Sequence, residues 1–387
     1  MNLTRRGFLR SGAWSGLALP GVVLARQSGA SESARPPQDQ RVIFVGDGLS
    51  LSPIEQAALL ERLVGQSTFG PDNYLAGGVV ERLEQRFASA LGKEQALFFP
   101  TGTLANHLAL RQLAGERRRV LVQSESHVYC DEGDSAQLLS GLNLVPLAPG
   151  RATVRLEEVT QAVSRSAEPP YPAPVGAISI ESPVRRRNGE VFDFEEMKKI
   201  SAFAREKRIG LHLDGARLYL ASAYTRITPA QYAALFDTVY GSLYKYFNAP
   251  FGAVLAGPRG LLEPIVTLRH QFGSGLYHAW QPAAVAVHYL EGFTERYQAA
   301  VQSAEELLRQ LQEKAGLRVE RVPSGSNIIG IHLPENRANA FPQRLADAGI
   351  VVRKPANDSQ LVWLMVNETI NRRQPEDLAR QFLAALR

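Results

Sequence analysis

An acidic residue closes a short apolar run in the stretch IGLHLDGAR, residues 209–217. Asp214 is followed there by a Gly-Ala turn and by Arg217, an order typical of a buried strand that leads into a helix. In an open α/β sheet, ligands bind at the carboxyl ends of the strands. Asp214 is therefore a candidate ligand-binding carboxylate, although a cap for the next helix explains this residue equally well on its own.

Short apolar runs alternate with amphipathic stretches on both sides of this strand. This pattern predicts an α/β fold with a mostly parallel sheet covered by helices. A long helix at about 280–312 leads into a small α+β pattern, so we expect a large domain over 41–295 and a small one over 296–387. The main predicted strands are 42–45, 96–99, 120–122, 177–180, 209–213 and 238–242, and three predicted helices are 78–91, 103–113 and 194–208.

The composition is that of an ordinary globular protein, with 387 residues, 45% hydrophobic content and a formal charge of +5. Three of the positive charges, on Arg5, Arg6 and Arg10, lie in an N-terminal stretch without acids. The rest of the chain is close to neutral, which gives no support to a nucleic-acid partner. The single cysteine excludes an intramolecular disulfide and a cysteine-based zinc cage, and no metal site is expected.

The N-terminus has the features of an export signal. The segment TRRGFLR at 4–10 precedes a weakly apolar run and small residues ending at Ala25, which predicts a twin-arginine signal over 1–25 that is cleaved near Ala25. A frayed helix or an uncleaved anchor is the alternative. Residues 26–40, rich in Ser, Pro and Gln, predict a flexible linker. We therefore expect a periplasmic protein whose mature form has no membrane span.

A single lysine follows another predicted strand in the segment GSLYKYFNAPFG, residues 241–252. Aromatic and small residues surround Lys245, and such a setting lowers the preference of a lysine for its charged form. A Schiff-base lysine needs this property. A lysine that extends its amine into solvent is the alternative.

Two more segments bring polar residues to the same predicted sheet edge. The segment FPTGTLAN at 99–106 opens a helix at Gly102 and Thr103, which makes a candidate phosphate seat or a simple helix cap. The segment SESHVYCDE at 124–132 supplies His127 and Glu132. Since parallel strands end at one edge, these groups are expected to share a site with Asp214 and Lys245.

In this order and at these spacings, the four segments resemble those of the threonine aldolase and aromatic amino acid β-eliminating lyase family. The resemblance runs from about Val42 to the C-terminus and includes DNY at 72–74, VERLE at 80–84 and GKEQALFF at 92–99. It implies a fold-type I enzyme that uses pyridoxal 5′-phosphate (PLP) on an amino-acid substrate. It also implies a homodimer or homotetramer.

The resemblance gives each matching residue a role. Lys245 matches the lysine that forms the Schiff base with PLP, and Asp214 the carboxylate that pairs with the pyridine nitrogen. Gly102 and Thr103 match the phosphate-binding turn. The other matches are His127 as the imidazole stacked on the cofactor ring, Glu132 as an acid near it, Arg217 as an arginine that reaches the cofactor and the substrate carboxylate, and Arg269 as a basic residue near the phosphate, often that of a neighbouring subunit.

The sequence departs from the family at positions that concern the substrate. Gly46 replaces a serine that helps to hold the substrate carboxylate in the family. Trp363 occupies the position where the family usually has an arginine that binds the same carboxylate. Residues 181–184 lack the amide and imidazole of the family segment. Arg217 remains, and an arginine from 185–187 or Arg353 is a possible substitute. We expect a substrate bulkier than threonine, or differently charged, with Trp363 lining an apolar pocket.

The function that this pattern favours is cleavage of a β-hydroxy amino acid to glycine and an aldehyde. The predicted catalytic residues are Lys245, His127 and Glu132, and His127, or a water held by it and Glu132, is the candidate base for the hydroxyl proton. Three alternatives remain open at this point. They are β-elimination, an aminotransferase-like reaction, and binding of PLP without turnover.

Overall fold

A computed structural model describes residues 40–66, 70–335, 337–356 and 359–387. The predicted signal at 1–25 and nearly all of the predicted linker lie outside these residues. The strands are β1 (Val42–Ile43), β2 (Gln95–Phe99), β3 (Arg119–Gln123), β4 (Asn143–Leu147), β5 (Val175–Glu181), β6 (Gly210–Asp214), β7 (Thr238–Ser242), β8 (Ala253–Gly257), β9 (Arg318–Arg321), β10 (Ile328–His332), β11 (Ile350–Val351) and β12 (Leu361–Met365).

Helices connect most of these strands. In chain order they are α1 (Pro53–Gln66), α2 (Gly78–Leu91), α3 (Gly102–Ala114), α4 (His127–Cys130), α5 (Ser135–Ser140), α6 (Leu156–Ser166), α7 (Phe194–Lys207), α8 (Leu218–Thr225), α9 (Pro229–Ala233), α10 (Arg259–Gln271), α11 (Trp280–Leu290), α12 (Phe293–Ala315), α13 (Phe341–Asp347) and α14 (Pro375–Ala385). Two short 3₁₀ turns cover Arg185–Arg187 and Glu368–Arg372.

The central sheet has seven strands in the order β2-β8-β7-β6-β5-β3-β4. The pairs from β7 to β4 are parallel, whereas β8 runs antiparallel to both of its neighbours. The strand β6 lies in the middle, and its last residue, Asp214, pairs with Glu181 on one side and Tyr240 on the other. The carboxyl ends of β2, β3, β5, β6 and β7 therefore meet at one edge.

Helices cover both faces of this sheet. Along β2, Ala96 and Phe98 belong to the same apolar cluster as residues of α2, while Leu97 and Phe99 belong to a second cluster with residues of α3 and α10. Alternate side chains of one strand point to opposite faces, so both faces are buried. The predicted α/β fold with a mostly parallel, helix-covered sheet is confirmed.

A smaller sheet forms in the C-terminal region, with the antiparallel order β12-β10-β9. The strand β1, predicted within the large domain, pairs in parallel with β11 instead. The N-terminal strand is therefore joined by hydrogen bonds to the C-terminal region. The domain boundary at residue 295 stays a prediction.

The prediction of one long helix at about 280–312 is wrong in one respect, because two helices, α11 and α12, cover this range. Gly292 lies between them with a φ of 64°, a left-handed conformation that interrupts the helical path. Two strands of the central sheet, β4 at its edge and β8, were not predicted. In β4, polar Asn143 and the internal Pro146 interrupt the apolar pattern of a strand. In β8, the short run AVLAG differs little in hydrophobicity from the residues around it. Within the described residues, no helix is long and apolar enough to span a bilayer.

Candidate active site

A cavity of about 870 Å³ opens at the edge where the parallel strands end. Six of the predicted site residues line it, which brings together segments that are up to 143 residues apart in the chain. They are Gly102, Thr103, His127, Asp214, Arg217 and Lys245. The expectation that the four segments share one site therefore agrees with the structure, while the role of each residue stays a prediction.

Lys245 lies directly after β7, in the turn that leads to β8. Its Nζ donates to the Tyr244 hydroxyl at 3.1 Å and lies 4.4 Å from the centre of the Tyr244 ring. Burial, and next the positive charge of Arg217, lower the pKa of Lys245. A lysine with a lowered pKa has more of its amine neutral at physiological pH, and the neutral amine is the nucleophile.

Asp214 is only 3% exposed and both of its carboxylate oxygens accept hydrogen bonds. Oδ1 accepts from the backbone N–H of Ala216 at 3.1 Å, and Oδ2 accepts from Asn106 Nδ2 at 2.9 Å. The bond to Ala216 shapes the turn before α8, but Asp214 does not cap that helix, because its N-cap residue is Arg217. The same carboxylate also lines the cavity, so its structural role and its predicted contact with the cofactor are compatible.

His127 begins the short helix α4 and is held from two sides. Its backbone N–H donates to Glu181 Oε2 at 2.6 Å, and its ring Nδ1 lies 3.1 Å from Glu132 Oε1. The hydrogen bond to Glu132 is the largest cause that raises the pKa of His127, and burial opposes it. Because a carboxylate only accepts, Nδ1 carries a proton and Nε2 is the nitrogen left for a substrate.

Two buried acids contact His127, Glu132 at the ring and Glu181 at the backbone N–H. Burial raises the pKa of Glu132, and the Oε2 of this residue has no hydrogen-bond partner among the described residues. Burial, and next the charge of Asp214, raise the pKa of Glu181. Glu181 comes from the segment at 181–184, and it lines the cavity without having been predicted as a site residue.

The first turn of α3 forms a close-packed seat for an anion. A Cβ added at Gly102 would lie 2.1 Å from the Tyr240 hydroxyl oxygen, so only glycine fits this position. Thr101 caps the helix by accepting from the Leu104 N–H at 3.3 Å. Thr101, Gly102 and Thr103 line the cavity, and the free backbone N–H groups at the N-terminus of a helix are a common binding site for phosphate.

Gly102→Ala is expected to weaken PLP binding by about tenfold, because the added methyl group displaces Tyr240 or the first turn of α3 and disturbs charge-assisted bonds to phosphate. Fluorescence or absorbance titration of the protein with PLP measures the change. The matched control is Gly260→Ala in the first turn of α10, where an added Cβ meets no atom within 4 Å. Equal affinities for Gly102→Ala and the wild type would contradict the predicted seat.

Arg217 is anchored by an acid from the N-terminal segment. Its Nε donates to Asp47 Oδ2 at 2.9 Å, and the two side chains are 12% and 5% exposed. Asn327 Nδ2 donates to the other oxygen, Asp47 Oδ1, at 3.2 Å. The buried Asp47 carboxylate thus connects Arg217 to the segment between β1 and α1 and to Asn327, which directly precedes β10. Asp47 also lines the cavity and was not predicted to have a role there.

The predicted substrate-binding region is corrected in one respect. Trp363 is not among the residues that line the cavity, so the expectation that it forms an apolar pocket wall there is wrong. Side chains alternate along β12, and Trp363 lies on the half-exposed side, opposite Gly330 of β10. Gly46 does line the cavity, and its φ of 91° favours glycine over the serine of the family.

The candidate arginines differ in position. Arg185 lines the cavity and bonds Asp131 at 3.1 Å, whereas Arg353 is exposed elsewhere. Arg269 is buried outside the cavity of its own chain, where it donates to the Phe98 carbonyl and lies over the Phe99 ring at 5.7 Å. Its predicted contact with a cofactor phosphate is therefore not made within this site, and a role toward a neighbouring subunit stays a prediction.

The donor set fits PLP. The cavity offers an amine with a lowered pKa, a buried carboxylate for a protonated ring nitrogen, a glycine seat for a phosphate and an arginine for a carboxylate. Next to this donor set, the buried Glu132 Oε2 has no hydrogen-bond partner among the described residues. Among the described residues, no group of three His, Cys, Asp or Glu side chains could hold a metal ion.

Comparisons with known proteins point to one group of enzymes. The family model described as beta-eliminating lyase matches residues 56–333. The low-specificity L-threonine aldolase of Candida albicans is 30% identical over 295 residues, with 76% of this chain and 77% of the relative covered. The corresponding enzyme of Escherichia coli K12 is 27% identical, with 85% and 95% covered. A solved Exiguobacterium structure, assigned to the aromatic amino acid beta-eliminating lyases/threonine aldolases, has a TM-score of 0.73 at 25% identity, with 90% and 98% covered.

Proposed function

Because the chain belongs to the beta-eliminating lyase family and is a PLP-dependent enzyme, we propose that it cleaves a β-hydroxy amino acid to glycine and an aldehyde. The observation that carries the proposal is the pairing of Lys245 and Asp214 in one cavity with a histidine whose Nδ1 is held by a carboxylate. Cleavage of this kind needs a base for the hydroxyl proton as well as an activated α-carbon, and His127 supplies that base.

When PLP is bound, it supplies an electron sink for the electrons released at the α-carbon. Lys245 would provide the attachment point, the first turn of α3 would bind the phosphate, and the negative charge of Asp214 would favour a proton on the ring nitrogen. His127 accepts the hydroxyl proton at Nε2 while Glu132 holds the proton at Nδ1. As the proton leaves, the bond between the α- and β-carbons breaks and the aldehyde departs, and a proton from solvent at the α-carbon then completes glycine. Arg217 holds the carboxylate during this step.

The substrate that we propose is bulkier than threonine or carries a different charge. Residues 181–184 provide no imidazole, and Arg185 lines the cavity directly after them. Values of kcat/KM for threonine, phenylserine and larger β-hydroxy amino acids, including one with a distal carboxylate, test this proposal. A strong preference for threonine would contradict it.

Asp47→Asn is expected to raise the KM for the amino acid by about tenfold with a smaller change in kcat, because the loss of its charge loosens the guanidinium that binds the substrate carboxylate. The parallel variant is Asp131→Asn, which releases Arg185 and Arg186 instead. Steady-state kinetics of both variants decide which arginine is the anchor. A larger rise of KM in Asp131→Asn would assign that role to Arg185.

We also propose that the protein assembles as a homodimer or homotetramer and is exported by the twin-arginine route. Tyr74 and Tyr277 are each 60% exposed with ring centres 5.4 Å apart, an aromatic pair of the kind that favours subunit contacts. Light scattering of the purified protein measures the assembly, and a monomer would contradict it.

For export, replacement of both Arg5 and Arg6 by Lys should keep the protein in the cytoplasm.

A further inference from the structure

One amide in the site contacts two acids and a histidine at the same time. Asn106 lies on α3, one helical turn after Gly102, and is 1% exposed. Its Nδ2 donates to Asp214 Oδ2 at 2.9 Å and to Glu132 Oε1 at 3.1 Å. Its Oδ1 lies 3.0 Å from Nε2 of the fully buried His212. Both N–H groups of the amide and its oxygen therefore have partners.

The orientation of this amide follows from its partners. Carboxylates only accept hydrogen bonds, so the NH₂ group must face Asp214 and Glu132, and Oδ1 must face His212. His212 then donates from Nε2 and accepts at Nδ1 from the Thr238 hydroxyl, 2.8 Å away. Burial lowers the pKa of His212 to about 4, so the ring is neutral in the physiological range. The chain Thr238–His212–Asn106 therefore has one possible arrangement of protons.

We propose that Asn106 is a positioning residue that orients Asp214 and Glu132 together, so that one amide sets both the carboxylate for the cofactor ring and the carboxylate that holds His127. This inference rests on the proposed function only for the use of the two acids in catalysis. The two hydrogens of the amide are directed at two carboxylates that would otherwise face each other as like charges in a buried site. A donor shared by the two carboxylates offsets part of this repulsion and fixes their relative orientation.

A measurable link to His127 follows from this arrangement. Asn106 is one of the groups that lower the pKa of Glu132 against burial, and the bond to Glu132 is the largest cause that raises the pKa of His127. Other acids that act on His127 are Asp214, Glu181 and the more distant Asp131. Loss of the amide should protonate Glu132 more readily and weaken its hold on the histidine. The pKa of His127 should therefore fall.

The experiment is a pH titration of ¹³C-histidine-labelled protein by NMR, without PLP, with the His127 signal assigned by its loss in His127→Asn. In Asn106→Ala the His127 pKa is expected to fall by about 0.5 to 1 unit. The affinity of Asn106→Ala for PLP should also be about tenfold lower than that of the wild type. The matched control is His107→Ala at the next position of α3, a buried side chain that bonds Ser140 at 2.6 Å outside the site. It should leave the His127 pKa unchanged.

A second pair of variants tests the same idea away from the cavity, in case Asn106→Ala does not fold. His212→Leu removes the donor that fixes the amide, whereas His212→Gln keeps a donor near the position of Nε2. The His127 pKa should fall in His212→Leu and recover in His212→Gln. An unchanged His127 pKa in folded Asn106→Ala, or equal values in the two His212 variants, would overturn the inference. Since these titrations need no turnover, they stand apart from failure of the proposed reaction.

Discussion

Lys245→Ala is expected to lower kcat/KM for cleavage of a β-hydroxy amino acid by on the order of 10³-fold or more. The lysine provides the only amine that lines the described cavity, and its lowered pKa keeps that amine reactive. Such a loss corresponds to about 4 kcal/mol of transition-state stabilisation. The same variant should lose the visible absorption band that PLP gives when it is covalently attached to the protein. Kinetics and absorbance spectra measure the two effects together.

The control for this prediction is Lys93→Ala. Lys93 is a half-buried lysine whose pKa is also lowered by burial, but its Nζ donates to the Phe236 carbonyl outside the cavity. Lys93→Ala should keep the absorption band and most of the activity. If Lys245→Ala retains the band, or if both variants lose activity equally while folded, Lys245 is not the attachment point.

Asp214→Asn is expected to lower kcat/KM by on the order of 10²-fold. An opposite charge within hydrogen-bond distance shifts a pKa by about 1 to 3 units, so its removal leaves the ring nitrogen largely unprotonated near neutral pH. The asparagine also places an NH₂ group opposite either the Asn106 or the Ala216 donor, which disturbs one of these two contacts. Activity of the PLP-saturated variant should recover partly toward low pH, where the ring nitrogen regains its proton. Pre-steady-state rates across pH measure this recovery.

Asp237→Asn is the matched control for Asp214→Asn. Asp237 precedes β7 at the opposite end of the strands, and its Oδ2 accepts from the Leu211 N–H at 2.8 Å. It thus has a comparable bond to backbone without contact with the cavity. The control should keep full activity at saturating PLP. A similar loss in both variants would mean that Asp214 acts through the stability of the sheet alone.

The site at the sheet edge could be predicted from the sequence because its reactive and ligand-binding residues directly follow or end predicted strands. Asp214 ends β6 and Lys245 follows β7, while the Gly102 turn follows β2, and each signal rests on local patterns of apolar and small residues. The strand β8 escaped prediction because a short Ala- and Gly-containing run has little hydrophobic contrast. The break at Gly292 escaped because the apolar spacing continues through it.

The partners of the site residues were harder to predict, since they depend on packing between distant segments. Asn106 and His212 lie within the quoted motifs, and two local rules could have found them. His212 precedes Asp214 by two residues and so shares its side of β6, and Asn106 follows Gly102 by one helical turn. The position of Trp363 could not be predicted in this way, because the place of β12 relative to the cavity depends on its pairing with β10.

The most direct test of the account is product analysis with the purified, PLP-loaded protein and a β-hydroxy amino acid such as phenylserine. We predict glycine and the aldehyde in equal amounts from the wild type, and neither product from Lys245→Ala. Formation of ammonia with an oxo acid would indicate β-elimination, and an oxo acid formed only with an added amino acceptor would indicate an aminotransferase. Either result, or PLP binding without any product across the substrate series, would contradict the proposed cleavage.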